Sequence, residues 1–223
     1  MQITSAPDGT ILIDGKVVTA LDRFVASVTG IIERYTNYVI VSGYVAILFG
    51  RARGTEDIDL FVDYMDRDTF RSFADELVAR GFYFLNSDDL GEIYSMLRDG
   101  FAVRIAEEER IIPNVEMKFK KDDFDRYAMA MARTVAFDDI RFCISPIELQ
   151  IPYKLYLGSD KDIEDAVYLW VLFREMLDAD LMRSFMERLH VRGEPYVIGV
   201  LSGEEPAGEA GLCPETCSLG QSG

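Results

Sequence analysis

The sequence contains no stretch of ~18 uninterrupted apolar residues, so no membrane-spanning helix is expected. Its opening, MQITSAPDGTILIDG, has no basic segment leading into an apolar one, and no secretory signal is read there. Histidine occurs once, at His190. That disfavours a mechanism built on a histidine base, and at a helix end this residue reads as a favourable C-terminal charge. Cysteine occurs three times. Cys143 lies in an apolar run and reads as core. Cys213 and Cys217, in CPETC, lack the second pair of ligands that a closed zinc site requires. A reducing, cytoplasmic setting is the default expectation. Cations are few: 23 Lys and Arg stand against 39 Asp and Glu, for a net charge of −16 at pH 7. Without a local basic patch such a chain is a poor partner for long polyanions, and it suits metal cations and cationic partners.

What is present supports a core. Of 223 residues, 49% are apolar and 12% aromatic, which excludes a disordered chain. Residues 1–19 carry PDG and IDGK turn signals and predict an N-terminal arm or hairpin. From 20 to 145 helices and strands alternate. Helices are expected at 21–35, 44–50, 66–81, 89–100 and 122–135; strands at 38–43, 55–63, 82–85, 101–107, 114–120 and 141–145. Residues 146–158 and 160–177 predict two consecutive helices joined by a Gly-Ser turn, and 179–190 a third. The expected fold class is α+β: a mixed sheet flanked by helices over 20–145, then a small helical domain over 146–201. Residues 202–223, rich in Gly, Glu, Ser and Pro, are expected to be a disordered tail.

The stretch VSGYVAILFGRARGTEDIDLFVD, residues 41–63, carries the chemistry. A strand ends in Ser42-Gly43, where a helix begins. Glycine there permits close backbone approach, and the free N–H groups of a helix start favour an anion. Arg51 and Arg53 follow in a loop. Asp57 and Asp59 stand two apart on a strand and share a face, whereas Ile58, Leu60 and Val62 share the other. Two carboxylates on one face repel unless a cation lies between them, and a hard divalent ion with oxygen ligands is the natural one. A third carboxylate is expected on a neighbouring strand. Glu116 is the candidate, because Val115, Met117 and Phe119 alternate with it.

With those residues in view, the sequence resembles the nucleotidyltransferase superfamily with the DNA polymerase β-like core. The resemblance rests on the Ser42-Gly43 turn and on Arg53-Gly54-Thr55-Glu56-Asp57-Ile58-Asp59, and a Ser replaces the first Gly of the family's turn. The branch it is similar to is the small prokaryotic one, including minimal nucleotidyltransferases and nucleotidyltransferase-like toxins. Members often carry a Lys, then Lys-Asp and a further Asp, matched here by Lys154, Lys161, Asp162 and Asp165. The resemblance implies an Mg²⁺-dependent enzyme, with Mn²⁺ as an alternative ion. It would move a nucleoside monophosphate from an NTP to a hydroxyl acceptor and release pyrophosphate. Asp57, Asp59 and Glu116 would be metal ligands and catalytic. Ser42, Gly43, Arg53, Thr55 and Lys154 would bind nucleotide, and Asp162 would support Lys154 or Lys161.

Other readings stay open for several residues. Lys154, in an apolar helix, reads equally as a snorkelling surface Lys. Asp162 and Asp165 sit near a helix start, where carboxylates favour the dipole. Tyr44, Tyr83 and Tyr94 are candidates to stack a base, and Trp170, Tyr168 and Phe173 read as packing. The acceptor is open: a small molecule, a tRNA end or a protein side chain. The partner is an antitoxin or a second copy. The rival function is a catalytically weak binding protein, either a toxin–antitoxin component or a nucleotide sensor. A third reading is an acidic scaffold for a basic partner.

Overall fold

A computed structural model of the chain describes residues 1–191. The tail expected at 202–223, with Cys213 and Cys217, lies outside the described residues, as does the end of the 146–201 region. The element order is β1 (Gln2–Ser5), β2 (Ile11–Asp14), α1 (Ala20–Ile32), β3 (Tyr38–Ile40), α2 (Gly43–Leu48), β4 (Asp57–Val62), α3 (Arg67–Ala79), β5 (Phe82–Phe84), α4 (Leu90–Arg98), β6 (Val103–Glu107), β7 (Asn114–Phe119), α5 (Asp123–Ala130), β8 (Arg133–Phe137), β9 (Ile140–Ile144), α6 (Ile147–Leu157), α7 (Asp160–Phe173) and α8 (Ala179–Arg188). The strands form one nine-stranded sheet in the order β1-β2-β8-β9-β3-β4-β7-β6-β5. The β2–β8, β3–β9 and β4–β7 pairs are parallel. The others are antiparallel, so the sheet is mixed and the fold is α+β, as the alternation of elements predicts.

Period-two burial builds the centre. On β4, Ile58, Leu60 and Val62 are buried, whereas Asp57, Asp59 and Phe61 are half-buried on the opposite face. That second face continues through Val39 of β3, which pairs with Phe61. It packs against Ala128 of α5, Leu149 of α6 and Phe185 of α8 in one apolar cluster. The helices α6 and α8 therefore cover the same sheet face that carries Asp57 and Asp59. Gly158 closes α6 in the left-handed conformation (φ 70°), and Ser159 caps α7 through Asp162 N.

Two sequence expectations need correction. The helix read over 122–135 ends at Ala130, and Arg133–Phe137 is a strand. Asp122 caps the helix through a reciprocal box with Asp125. The apolar residues Met129 and Met131 extend the helical pattern visually, but Thr134 and Val135 are β-branched and pair antiparallel with Cys143 and Phe142. Asp138 turns this hairpin at φ 50°. His190 likewise lies past the last helix, at φ 52°, rather than within its final turn.

Candidate functional site

The site is built where β3 gives way to α2. Val41 N donates to Asp59 O at 2.9 Å, which ties the end of β3 to β4. Ser42 then turns at φ 65°, ψ −137°, a region that L side chains rarely adopt. A non-glycine residue held there carries backbone strain that the surrounding structure must impose. Its hydroxyl acts to lower the Asp59 pKa, against the burial that raises it. At Gly43 a Cβ would lie 2.8 Å from Arg53 Nη2. A side chain here would have to displace the guanidinium, which lies against the backbone.

Arg53 is pinned by Asp165. Its Nη1 donates to Asp165 Oδ2 at 2.6 Å. The same carboxylate receives Lys154 Nζ at 2.9 Å and an ion pair from Arg51. Asp162 takes a second bond from Lys154 at 2.7 Å, and Glu164 pairs with Arg51. Asp165 is fully buried and Lys154 is 2% exposed. Burial pulls the Lys154 ammonium down in pKa, and the Asp162 contact opposes this. Burial also works to raise Asp162, but the bonds from Lys154 and Ser159 outweigh it and its pKa falls. Three cations and three carboxylates thus form one closed cluster. Lys154 does not snorkel, and Asp165 does not serve the helix start. Ser159 caps the helix, leaving Asp165 as the hub. The spacing of Asp165 on α7 gave no sign of this.

Beside this cluster runs a row of carboxylates. Parallel register sets Asp59 next to Glu116 and Asp57 next to Asn114. Burial raises the Asp59 pKa, and the charges of Glu116 and Asp57 raise it further. Thr55 Oγ1 donates to Asp57 O at 2.8 Å, so Thr55 shapes the entry to β4. Glu116 reaches across to β6, where Arg104 pairs with it at 2.6–2.7 Å. Among the described residues no group of three or more His, Cys, Asp or Glu side chains stands ready to hold a metal ion. The donor chemistry of Asp57 and Asp59 still fits a hard divalent cation. Both are oxygen ligands on one face, and a cation there would relieve the repulsion that lifts Asp59. Glu116 is the member that Arg104 already engages.

Of the tyrosines considered for stacking, Tyr44 is fully buried and donates to Asp22 at 2.7 Å, so it faces no ligand. Tyr94 is buried and donates to Met65 O, and Tyr83 donates to Arg110 O. Sequence reasoning missed a cleft instead. Phe61, Phe124, Leu149 and Tyr153 wall a narrow cleft of about 50 Å³ that reaches Ser42.

No family model and no curated protein matches the sequence. Solved structures do. An antigenic nucleotidyltransferase-like protein from Paracoccidioides brasiliensis superposes with a TM-score of 0.52 at 16% identity, covering 84% of this chain and 94% of that one. The antibiotic-resistance factor ANT(2'')-Ia gives 0.49 at 16% identity over 79% and 94% of the two chains. JHP933 from Helicobacter pylori gives 0.42 at 15% identity over 84% and 82%. The first of these superpositions carries the assignment. A strand, a Ser-Gly turn, a short helix and a returning strand with paired aspartates are set here in a mixed sheet, and the chain shares the fold of that nucleotidyltransferase-like protein.

Proposed function

We propose that the protein transfers a nucleoside monophosphate from an NTP to a hydroxyl acceptor with release of pyrophosphate. One observation carries this reading. Asp57 and Asp59 share a sheet face immediately beside a Ser42–Gly43 turn over which Arg53 is held. Anion-binding and cation-binding groups are thus adjacent, as a nucleotide–metal complex requires.

In this reading the backbone at Ser42 and Gly43, with Arg53, binds the β- and γ-phosphates. Lys154 is buried and doubly paired, so its part is to hold Asp162 and Asp165 in place beneath Arg53, rather than to reach the triphosphate freely. Asp57 and Asp59 would hold Mg²⁺ or Mn²⁺, with Glu116 as the third candidate ligand. The bound ion would neutralise phosphate charge and lower the pKa of the acceptor hydroxyl. The ionised carboxylates are the competent forms, and Asp59 is the one whose ionisation the protein opposes. The acceptor is a small molecule, a tRNA end or a protein side chain, and the partner an antitoxin or a second copy.

The Arg104–Glu116 pair favours a second reading, in which the fold binds nucleotide and turns over weakly, as a sensor or a toxin–antitoxin component. The two separate in one experiment. Calorimetry with each NTP and Mg²⁺ is followed by a pyrophosphate-release assay on the wild type and Asp57→Asn. Binding with Asp57-dependent release supports the enzyme. Binding without release supports the second reading, and absence of binding overturns both.

A further inference from the structure

We infer that the cavity between the β1–β2 turn, the start of α6 and the segment joining α7 to α8 binds a free amino acid with an apolar side chain. Its ammonium would sit on Glu148 and its carboxylate on Arg133. This does not rest on the nucleotide reading. The cavity shares no residue with the Ser42–Gly43 turn, with Asp57, Asp59 and Glu116, or with the Asp165 cluster. Glu148 carries the inference. It is 7% exposed and lines the cavity. Asp178 N donates to its Oε1 at 3.5 Å, beyond the ordinary range for such a bond, and among the described residues no cation pairs with it. Buried carboxylates in native proteins are paired, because their desolvation is otherwise uncompensated. A place in the first turn of α6 suits a carboxylate, but does not require a buried one. Arg133 lines the same cavity, is exposed, and has no ion pair among the described residues. Two opposite charges thus border one space without closing on each other.

The composition of the walls selects the ligand. Ile11, Ile147, Phe173, Met176 and Leu177 surround about 150 Å³ together with that charge pair. Dry cavities of this size take a body such as benzene, so a side chain of about four heavy atoms fits. A bare alkylammonium would satisfy Glu148 but set its charge beside Arg133, and a fatty carboxylate would do the reverse. A zwitterion answers both. The planar guanidinium holds a carboxylate through paired N–H donors, and the ammonium donates to Glu148. Apolar walls then penalise a charged side chain on the ligand.

Calorimetry on the full chain tests this with L-leucine, L-methionine and L-glutamate. Two further probes are leucinamide, which lacks the carboxylate, and isocaproate, which lacks the ammonium. Leucine or methionine is expected to bind wild type. Glutamate and both truncated probes should bind at least about tenfold more weakly, the scale of a hydrogen bond to a charged group. Arg133→Gln, at an exposed position, keeps the fold and should remove the preference for leucine over leucinamide. Glu148→Gln keeps an acceptor for Asp178 N and should remove the preference for leucine over isocaproate. A purely structural carboxylate would leave that preference in place and only lower the melting temperature. If Glu148→Gln does not fold, the wild-type ranking of the probes and Arg133→Gln decide. No binding of leucine or methionine, truncated probes that bind as tightly, or a preference unchanged in either folded variant overturns the inference and leaves the nucleotide reading untouched.

Discussion

Two charged regions meet at the Ser42–Gly43 turn, and they are built on opposite principles. On one side Arg51, Arg53 and Lys154 are matched by Asp162, Glu164 and Asp165, with the hub fully buried. On the other, Asp57 and Asp59 share a face with Glu116, which Arg104 engages, and the charge of Lys118 offsets only part of what raises the Asp59 pKa. The first region is internally balanced, so it holds a geometry. In the second, burial first and then the charges of Glu116 and Asp57 raise the Asp59 pKa, so an external cation would be stabilising there. Structural charge and functional charge are thus distinguished by whether the protein completes the pairing itself.

The largest expected effect breaks the opposed side. Asp57→Asn should reduce pyrophosphate release by orders of magnitude with the fold intact, and unaltered release would remove the pair from the chemistry. Next comes the balanced side. Asp165→Ala leaves Arg53, Arg51 and Lys154 without their shared anion and should cost about 3–5 kcal/mol, read from urea unfolding. A loss within experimental error would mean that the cluster is not structural.

Asp59→Asn sharpens the contrast through pH. The folded pKa of Asp59 lies above its unfolded value, so its stabilising contribution is complete below the unfolded pKa and is lost as pH rises through the folded one. At neutral pH the variant should therefore be more stable than wild type, and the gain should vanish towards pH ~4, near the ordinary carboxyl value. Thermal melts across that range check it, and a variant less stable at neutral pH contradicts the opposed-charge account. By the same sign, wild-type turnover should fall on acidification before an ordinary aspartate would protonate.

Gly43→Val tests the junction. Its side chain meets a guanidinium that Asp165 holds in place, so NTP affinity should drop while the unliganded protein stays folded. Equal affinity in calorimetry would free the turn from a phosphate role. The smallest effect belongs to Arg104→Ala, which releases Glu116 at a solvent-exposed pair. The melting temperature should hardly move, and half-maximal activity should need less Mg²⁺. An unchanged Mg²⁺ dependence would exclude Glu116 from the ligand set.

The two regions also differ in how much of them the sequence disclosed. The Asp57–Asp59 face was legible because period two on a strand forces both carboxylates to one side, and the placing of Glu116 beside Asp59 followed from the alternation around it. Of the Asp165 cluster, the resemblance disclosed the Asp162 support of Lys154, which the structure shows, but not the role of Asp165 as its hub. Its members come from a loop and two helices, and helix periodicity does not say which acidic residue turns inward when its neighbours Asp162 and Glu164 have the same chemistry. β8 was hidden because it follows α5 almost directly, with no glycine or proline to mark the break.

The long reach of Asp165 also sets an order of assembly. Arg53 and its anion are 112 residues apart in the chain, and Asp59 meets Glu116 through a parallel pairing between strands separated by α3, α4 and two further strands. Contacts of such separation form late, because loop closure must precede them. A chain emerging from its N-terminus exposes the Ser42–Gly43 turn and Asp57–Asp59 well before α7 can fix Arg53 over that turn. On the proposed function, nucleotide capture would belong to the finished chain, and recovery of NTP binding during refolding would mark the closing step rather than the collapse of the sheet.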